Sequence, residues 1–472
     1  MLRLLREPPA GYSRGMNAYC ARLRSVRKIG IPFARSTYTL NRGGELVKNE
    51  DVLNTLFVGI DVGSQTNTVC ATDFYEAETF KCTISNSQAG AELLAQKIAT
   101  FMKDKQFASL VIAMEATSVY STHIASFLST ADILIPYNAK VYCLNPKITK
   151  AYKNTFIAEG KSDPGDAFSL ADFARVGKIK SEPWRGSQYL AIQRLTRHRL
   201  HLVESIAREK NYMLSNIYLK FSELAILDDE HRPFSNKYGA TASAVLTEFL
   251  STEDIASKPL PDLTAFVNQK GHGRFADPEA TAKLLQQAAR NSYRLDKCAY
   301  EAITLSLASS FNCLKAFEKE VKAVDKAILQ TIKGFNTHEY QCFTSIPGIG
   351  HVFAAGVLSE IGTIKAFKSH ESLAKYAGII WPPNESGKFK ADDKRLSKQG
   401  NAYLRYYLIE AANSVKNHLP DYKAFYNKKY TEASTHKHKR ALALTSRKLI
   451  RLIYGLLDKN QLYTPTSVEN PT

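Results

Sequence analysis

The sequence predicts an α/β N-terminal domain followed by an all-α remainder, and three observations carry that prediction. Between Leu56 and Leu144, apolar runs of strand length alternate with stretches of helical spacing. From Ser187 onward, two long stretches instead keep a 3-4 apolar period with charges between. At 472 residues and 44% hydrophobic, the chain holds more apolar material than one core organises and too much for disorder. Four segments follow: a basic extension over 1–54 expected to lack fixed structure, an α/β domain over 55–178, a helical, coiled-coil region with an insert over 179–334, and a mostly helical C-terminal domain over 335–472.

The α/β elements come in the order three strands, helix, strand, helix, strand, helix. Leu56 to Ile60 is a buried-strand run stopping at Asp61, and Thr68 to Thr72 returns from it after Val62-Gly63-Ser64. Thr79 to Ile84 is the third strand, and Leu93, Leu94, Ile98 and Met102 give Ala89 to Lys103 helical spacing. Leu110 to Met114 is a second buried run ending in a carboxylate, Glu115; a helix over Thr122 to Leu128 leads to the strand Lys140 to Leu144. A further helix opens at Asp163-Pro164-Gly165-Asp166 and runs to about Val176.

Charge points to the partner. Lys and Arg number 63 against 45 Asp and Glu, a net +18, which favours a polyanion such as nucleic acid over the substrate of an ordinary metabolic enzyme. The 7 cysteines lie far apart without a C-x-x-C pair, the pattern of a reducing compartment and not of a disulfide framework or zinc cluster. Apolar runs such as Leu449 to Leu457 fall well short of the roughly 20 residues that cross a bilayer, so no membrane span is expected. The extension, with Pro8 and Pro9, lacks the apolar core of a secretory signal; its Arg-rich start also fits a transit peptide, and a start at Met16 or later fits equally.

Two apolar strands that each end in an acid are informative, because an unpaired carboxylate beside a buried strand costs several kcal/mol unless paired or metal-bound. Asp163 and Asp166 add a second pair, three apart on one helix face. Ser162 or Asp163 serves equally as a helix N-cap with Pro164 in the first turn. Taken as a set, Asp61, Glu115, Asp163 and Asp166 can converge at one sheet edge as hard oxygen ligands for two divalent cations.

The order Asp, Glu, then Asp-x-x-Asp on this strand pattern resembles the DEDD-type RuvC-like (ribonuclease H-fold) domain of transposases of insertion sequence family 110. The matching stretches are Phe57 to Gly63, Met114 to Thr117 and Lys161 to Ala167. The resemblance implies that all four acids are catalytic metal ligands for Mg²⁺. Gly59 to Thr66 also resembles the first phosphate loop of sugar kinases and actin-like ATPases, but the second glycine-rich hairpin those folds require has no counterpart here.

Ser187 to Phe221 and Leu314 to Phe335 read as long helices that pair as an antiparallel arm, within the chain or across a dimer. Arg194, Arg197 and Arg199 make the first strongly basic, as a nucleic-acid contact or a solvated face. The intervening residues, with helical stretches over Ala240 to Leu250 and Pro278 to Ala289, resemble the family's helical insert. Thr344 to Gly350, followed by an apolar helix to Ile361, is a helix-hairpin-helix signature in which Gly348 and Gly350 let backbone N–H groups approach a phosphate; a plain helical turn fits the same residues.

The stretch from Leu373 to Val415 resembles the same family's second module, the transposase-20 type domain. There the serine of a Ser-Gly loop is the nucleophile, and Ser386-Gly387 is the match. On residue type alone, a serine before glycine in a Pro-rich loop is a turn residue, and Ser397 is a rival nucleophile. Lys388, Arg395, Lys398 and Arg405 could grip phosphate, and Arg447 and Arg451 on the last amphipathic helix extend the basic surface.

The resemblance covers roughly 55–465. It implies a transposase or recombinase of a mobile element that cuts and rejoins DNA through a Mg²⁺ site and a serine hydroxyl. It further implies a noncoding guide RNA, a dimer pairing into a tetramer with the acids and serine meeting between protomers, and a cytoplasmic, nucleoid-associated setting in a bacterial or archaeal host. Two other readings stay open: a RuvC-like endonuclease acting by hydrolysis, and a copy that binds nucleic acid without cutting.

Overall fold

The computed structural model describes residues 38–40, 46–48, 52–116, 119–153, 163–179, 181–228, 231–334, 338–382, 385–386, 389–390 and 395–465. The chain divides into two compact units, Met1–Trp184 and Arg185–Thr472.

In the first unit, β1 (Tyr38–Leu40) and β2 (Leu46–Lys48) form an antiparallel hairpin. These are the described residues of the basic extension before residue 52; 1–37, 41–45 and 49–51 lie outside the described residues. A 3-10 turn over Val52–Asn54 leads into β3 (Thr55–Val62), followed by β4 (Thr66–Thr72), β5 (Glu78–Ser85), α1 (Gln88–Asp104), β6 (Ser109–Glu115), α2 (Tyr120–Thr130), β7 (Lys140–Leu144), α3 (Pro146–Lys153) and α4 (Asp163–Arg175). The sheet order is β5-β4-β3-β6-β7, with β3, β4 and β5 antiparallel neighbours and β6 and β7 parallel to β3. This mixed five-stranded sheet fits a ribonuclease H-like fold.

The two faces of the sheet separate by strand alternation. Leu56, Val58 and Ile60 of β3 and Leu110, Ile112 and Met114 of β6 pack with Leu94, Ile98 and Met102 of α1. Ser87 caps α1 by accepting from the Gly90 N–H, which starts the helix where its apolar stripe meets the sheet. On the other face Phe57 and Ala113 pack with Leu170, Ala171 and Phe173 of α4.

The second unit is helical. It opens with α5 (Ser187–Lys220) and α6 (Ser222–Ile226). The insert follows as α7 (Ala240–Glu248), α8 (Thr252–Ala256), α9 (Leu260–Lys270) and α10 (Pro278–Asn291), and α11 (Lys297–Lys333) returns. Then come α12 (His338–Thr344), α13 (His351–Ile361), α14 (His370–Ala377), the short strands β8 (Glu385–Ser386) and β9 (Phe389–Lys390), α15 (Ala402–His418), α16 (Pro420–Glu432) and α17 (Lys437–Asp458).

The arm is antiparallel, as expected: Met213 and Ile217 of α5 share a core with Leu307, Phe311 and Leu314 of α11, whereas Ile192 and Leu202 pack with Val324, Ile328 and Ile332. The return helix begins at Lys297, earlier than its clean 3-4 stripe, because Leu307 and Phe311 share a core with the insert as well as with α5 and the buried Tyr300 hydrogen-bonds Thr252 of α8. The division expected after residue 334 does not coincide with a break in the core. Val324, Ile328 and Ile332 belong to the same cluster as Leu358, Tyr407 and Ile450. Among the described residues no helix is long and apolar enough to cross a membrane.

Candidate active site

Strand register sets the first two acids side by side. Ile60 is paired with Met114 across parallel β3 and β6, so Asp61 and Glu115 are the next residues on adjacent strands and lie on one face of the sheet. That is the face covered by α4, and Gly59 explains how close α4 comes. A Cβ at Gly59 would overlap the Ala167 carbonyl and the Ala171 nitrogen, so only glycine lets this helix settle onto β3. With Ala167 over Gly59, the first turn of α4 carries Asp163 and Asp166 toward the strand end that holds Asp61. Acids are also favoured there by the partial positive charge of a helix N-terminus.

A lysine occupies the middle of the cluster. Lys153 Nζ, at the end of α3, lies 2.9 Å from Glu115 Oε1 and 3.3 Å from Asp166 Oδ2. Thr149, one turn earlier, donates to Glu115 Oε1 at 2.6 Å. Burial pushes the Asp61 carboxyl above its ordinary range; Lys153 opposes that shift, and the charges of Asp166, Glu115 and Asp163 add to it. Burial works against the Lys153 ammonium, but its hydrogen bond to Glu115 and the charges of Glu115, Asp166 and Asp61 outweigh this and hold it above its ordinary value.

The structure thus brings together Asp61, Glu115 and Asp166, while Asp163 is exposed at the rim. Among the described residues no three His, Cys, Asp or Glu side chains stand close enough to share a metal ion. The donor set still suits a hard divalent cation, since every group is a carboxylate and a cationic ammonium already sits among them. Lys153, Thr149 and Gly59 escaped the sequence reading. A lysine at the end of a short amphipathic helix looks like any solvated charge, and only the fold turns it inward.

Ser386 lies in β8, paired with Phe389 of β9 in a short antiparallel hairpin; residues 387–388, including the expected contact Lys388, lie outside the described residues. The segment beyond it is firmly held. The Ser397 N–H donates to the Ile380 carbonyl, and Arg405 Nη1 donates to the Ala377 and Lys398 carbonyls at 3.1 and 3.0 Å. Arg395 and Lys398 are exposed, Lys398 at the left-handed φ of 52°.

Several expected nucleic-acid contacts are committed to protein partners. Arg197 forms a forked pair with Glu360 at 2.8 and 3.0 Å and lies over the Tyr403 ring at 4.4 Å. Arg199 pairs with Asp325 at 2.5 and 3.3 Å, tying α5 to α11. Arg405 straps the loop just described, and Arg447 donates to the Ile379 carbonyl at 3.2 Å. These four arginines have protein partners in the structure, whereas Arg194 and Arg451 are exposed.

The helix-hairpin-helix expectation divides in the same way. The loop between α12 and α13 turns at Gly348, φ 93°, where a Cβ would press on Val415 and His418 of α15, so this glycine serves packing. Gly350, the N-cap of α13, has nothing within 4 Å of its Cβ position.

Comparison with known proteins matches these two regions. A DEDD-type transposase model covers residues 58–221, from β3 through the four acids and the first arm helix. A second, described as transposase of the IS116/IS110/IS902 family, covers 340–427, from α12 through β8 into α16. The molecule is a transposase, an enzyme that cuts and rejoins DNA. The chain belongs to the IS110 family of insertion-sequence transposases. It is 22% identical over 411 residues to the insertion element IS116 uncharacterized 44.8 kDa protein of Streptomyces clavuligerus, spanning 87% of this chain and 96% of that one. It is 25% identical over 319 residues to the IS900 uncharacterized 42 kDa protein of Mycobacterium paratuberculosis, 66% of this chain and 75% of that one. With the transposase for IS1111A of Coxiella burnetii it shares 28% identity over 205 residues, 38% of this chain and 53% of that one.

Proposed function

We propose that this transposase breaks and rejoins DNA with Ser386 as nucleophile and Asp61, Glu115, Asp163 and Asp166 as the residues that hold Mg²⁺, two ions in the full site. The observation that supports the metal role is the gathering of Asp61, Glu115 and Asp166 around one cationic group at the ends of β3 and β6. A divalent cation bound there would polarise the scissile phosphate and stabilise charge on its oxygens.

The chain's own residues supply the rest. The Ser386 hydroxyl attacks phosphorus, a serine–phosphate bond forms, the bond to one deoxyribose oxygen breaks, and that oxygen takes up the proton the serine gives. The covalent intermediate keeps the bond energy, so a new DNA hydroxyl can reverse the step and rejoin strands without ATP. Exposed Arg194, Arg395, Lys398 and Arg451, with Lys388 and the open Gly350, engage phosphates. By resemblance to the family, sequence choice is assigned to a noncoding guide RNA, and the acting unit to a dimer that pairs into a tetramer in the cytoplasm, at the nucleoid.

The test is a denaturing gel for protein–DNA adducts, with Mg²⁺ and RNA transcribed from the flanks of the gene, comparing wild type with Ser386→Ala. An adduct confined to wild type supports the reading. Cut DNA without an adduct means hydrolysis by a RuvC-like nuclease, and an adduct mapped by mass spectrometry to Ser397 moves the nucleophile.

A further inference from the structure

We propose that Lys153 is a resident counter-cation of the acidic cluster, a positioning residue that holds Glu115 and Asp166 about one point and must leave when a divalent ion binds. The inference rests on the metal-site reading above and concerns a residue that reading does not use.

Its place is built by the fold. The neighbouring Tyr152 donates to Asp172 Oδ2 at 2.5 Å and sets its ring edge-on against Phe173 at 5.1 Å, fastening the end of α3 to α4. Asp172 is itself buried and held by Arg175. Thr149 ties the same helix to Glu115. With α3 fixed to β6 on one side and α4 on the other, the Lys153 stem spans the gap between Glu115 and Asp166, its side chain only 17% exposed.

Chemistry explains why this occupant is temporary. An ammonium holds carboxylate oxygens at hydrogen-bond distance, here 2.9 and 3.3 Å, whereas Mg²⁺ takes oxygens at about 2.0–2.1 Å. The lysine therefore keeps the acids wider apart than a metal would draw them, which accounts for the absence of a ready ligand set among the described residues. It neutralises one charge where two or three carboxylates converge, and its flexible four-carbon stem can swing aside without moving the backbone.

A displaced ammonium needs another anion, and DNA phosphate is the one the substrate brings. Metal and DNA should then bind with positive coupling, each favouring the lysine-out state, and the coupling must be reciprocal. The device keeps the acids ordered in free protein while weakening metal retention until DNA arrives.

The experiment is calorimetric titration of Mn²⁺ into the full chain, with and without duplex DNA, for wild type, Lys153→Met, Lys153→Arg and Glu115→Gln, all carrying Ser386→Ala so that DNA stays intact. Lys153→Met is expected to bind Mn²⁺ roughly tenfold tighter or more without DNA, having lost a cationic competitor. It should unfold at a lower temperature in chelator, and its Mn²⁺ affinity should no longer respond to DNA. Lys153→Arg should keep the weak affinity and the coupling. Should Lys153→Met fail to fold, Lys153→Gln gives the same comparison with the hydrogen-bond donor retained. Equal or weaker Mn²⁺ binding by the neutral variant, while wild type binds and Glu115→Gln does not, overturns the role of Lys153 and leaves the metal site standing. Absence of Glu115-dependent Mn²⁺ binding in both wild type and Lys153→Met overturns both.

Discussion

Gly59 of β3 and Ala167 of α4 are in direct backbone apposition, so close that even a methyl group on Gly59 would overlap the Ala167 carbonyl. This contact, more than any side-chain interaction, sets the height of α4 above the sheet and with it the position of Asp166 beside Asp61.

Gly59→Ala is therefore expected to destabilise the first unit by about 2–3 kcal/mol, in the range of overpacked cores, and to abolish DNA cleavage. The two tryptophans make the measurement clean, since Trp184 lies in the first unit and Trp381 in the second. Urea unfolding followed by Trp184 fluorescence in a Trp381→Phe background reads the first unit. Gly455→Ala, at an open helical position, is the control and should stabilise the second unit by about 0.5–1 kcal/mol. A neutral Gly59→Ala would show that α4 is not pinned by this contact.

Asp61 carries a raised carboxyl pKa, chiefly from burial. Between its ordinary and raised values the folded state binds more protons than the unfolded chain, so stability falls as pH climbs through that window. Asp61→Asn should accordingly unfold at a higher temperature than wild type at pH 7, with the gap closing on acidification, while strand cleavage is lost. Thermal scans from pH 4 to pH 7 check this; a variant less stable at pH 7 would refute it.

Lys220 is 2% exposed and donates to the Leu246 and Phe249 carbonyls at 2.8 and 2.7 Å and to Thr304 Oγ1 at 2.5 Å, pinning the end of α7 to both arm helices. Burial pushes its ammonium down to about 8. Between that value and the ordinary lysine range the unfolded chain binds more protons, so this residue makes stability rise with pH above about 8. The difference in unfolding free energy between wild type and Lys220→Met, measured in steps from pH 7 to pH 10.5, should shift in favour of wild type as pH rises. A pH-independent difference would mean that Lys220 is not desolvated.

Arg197 and Arg194 are one turn apart on α5 and should behave oppositely. Arg197→Ala leaves Glu360, 1% exposed, with the Asn401 amide at 2.7 Å as its remaining side-chain partner among the described residues, and is expected to cost about 3 kcal/mol of stability with nucleic-acid affinity of the folded protein unchanged. Arg194→Ala should leave stability within about 0.5 kcal/mol and lower the salt dependence of DNA or RNA binding by about one counterion. Fluorescence anisotropy across a salt series, paired with chemical denaturation, tests both; a steep affinity loss in Arg197→Ala would restore it as a phosphate contact.

Much of the first unit was legible because local chemistry and tertiary demand agree there. The apolar run of β3 stops at Asp61 and that of β6 at Glu115, and both strands form within a residue or two of the expected bounds. The arm was legible for the same reason: a 3-4 stripe on each helix has one low-energy use, which is to face another stripe. Its longer return helix was not, since Leu307 and Phe311 answer to the insert as well as to α5. Charge was the least legible feature. Arg194, Arg197 and Arg199 are alike in sequence, and only the placement of Glu360 and Asp325 on other helices separates the exposed one from the two that are paired.

By itself the sequence determined the order of the five main strands and of the arm helices, the basic balance and the family motifs. Each is a matter of residue type and near-neighbour spacing. Tertiary structure alone decided that Gly59 is where α4 touches down, that Lys153 is lodged between Glu115 and Asp166, and that Arg197 and Arg199 meet Glu360 and Asp325. Those outcomes depend on residues distant in the chain meeting at a few ångströms, and no local pattern encodes which charged side chain finds a buried partner.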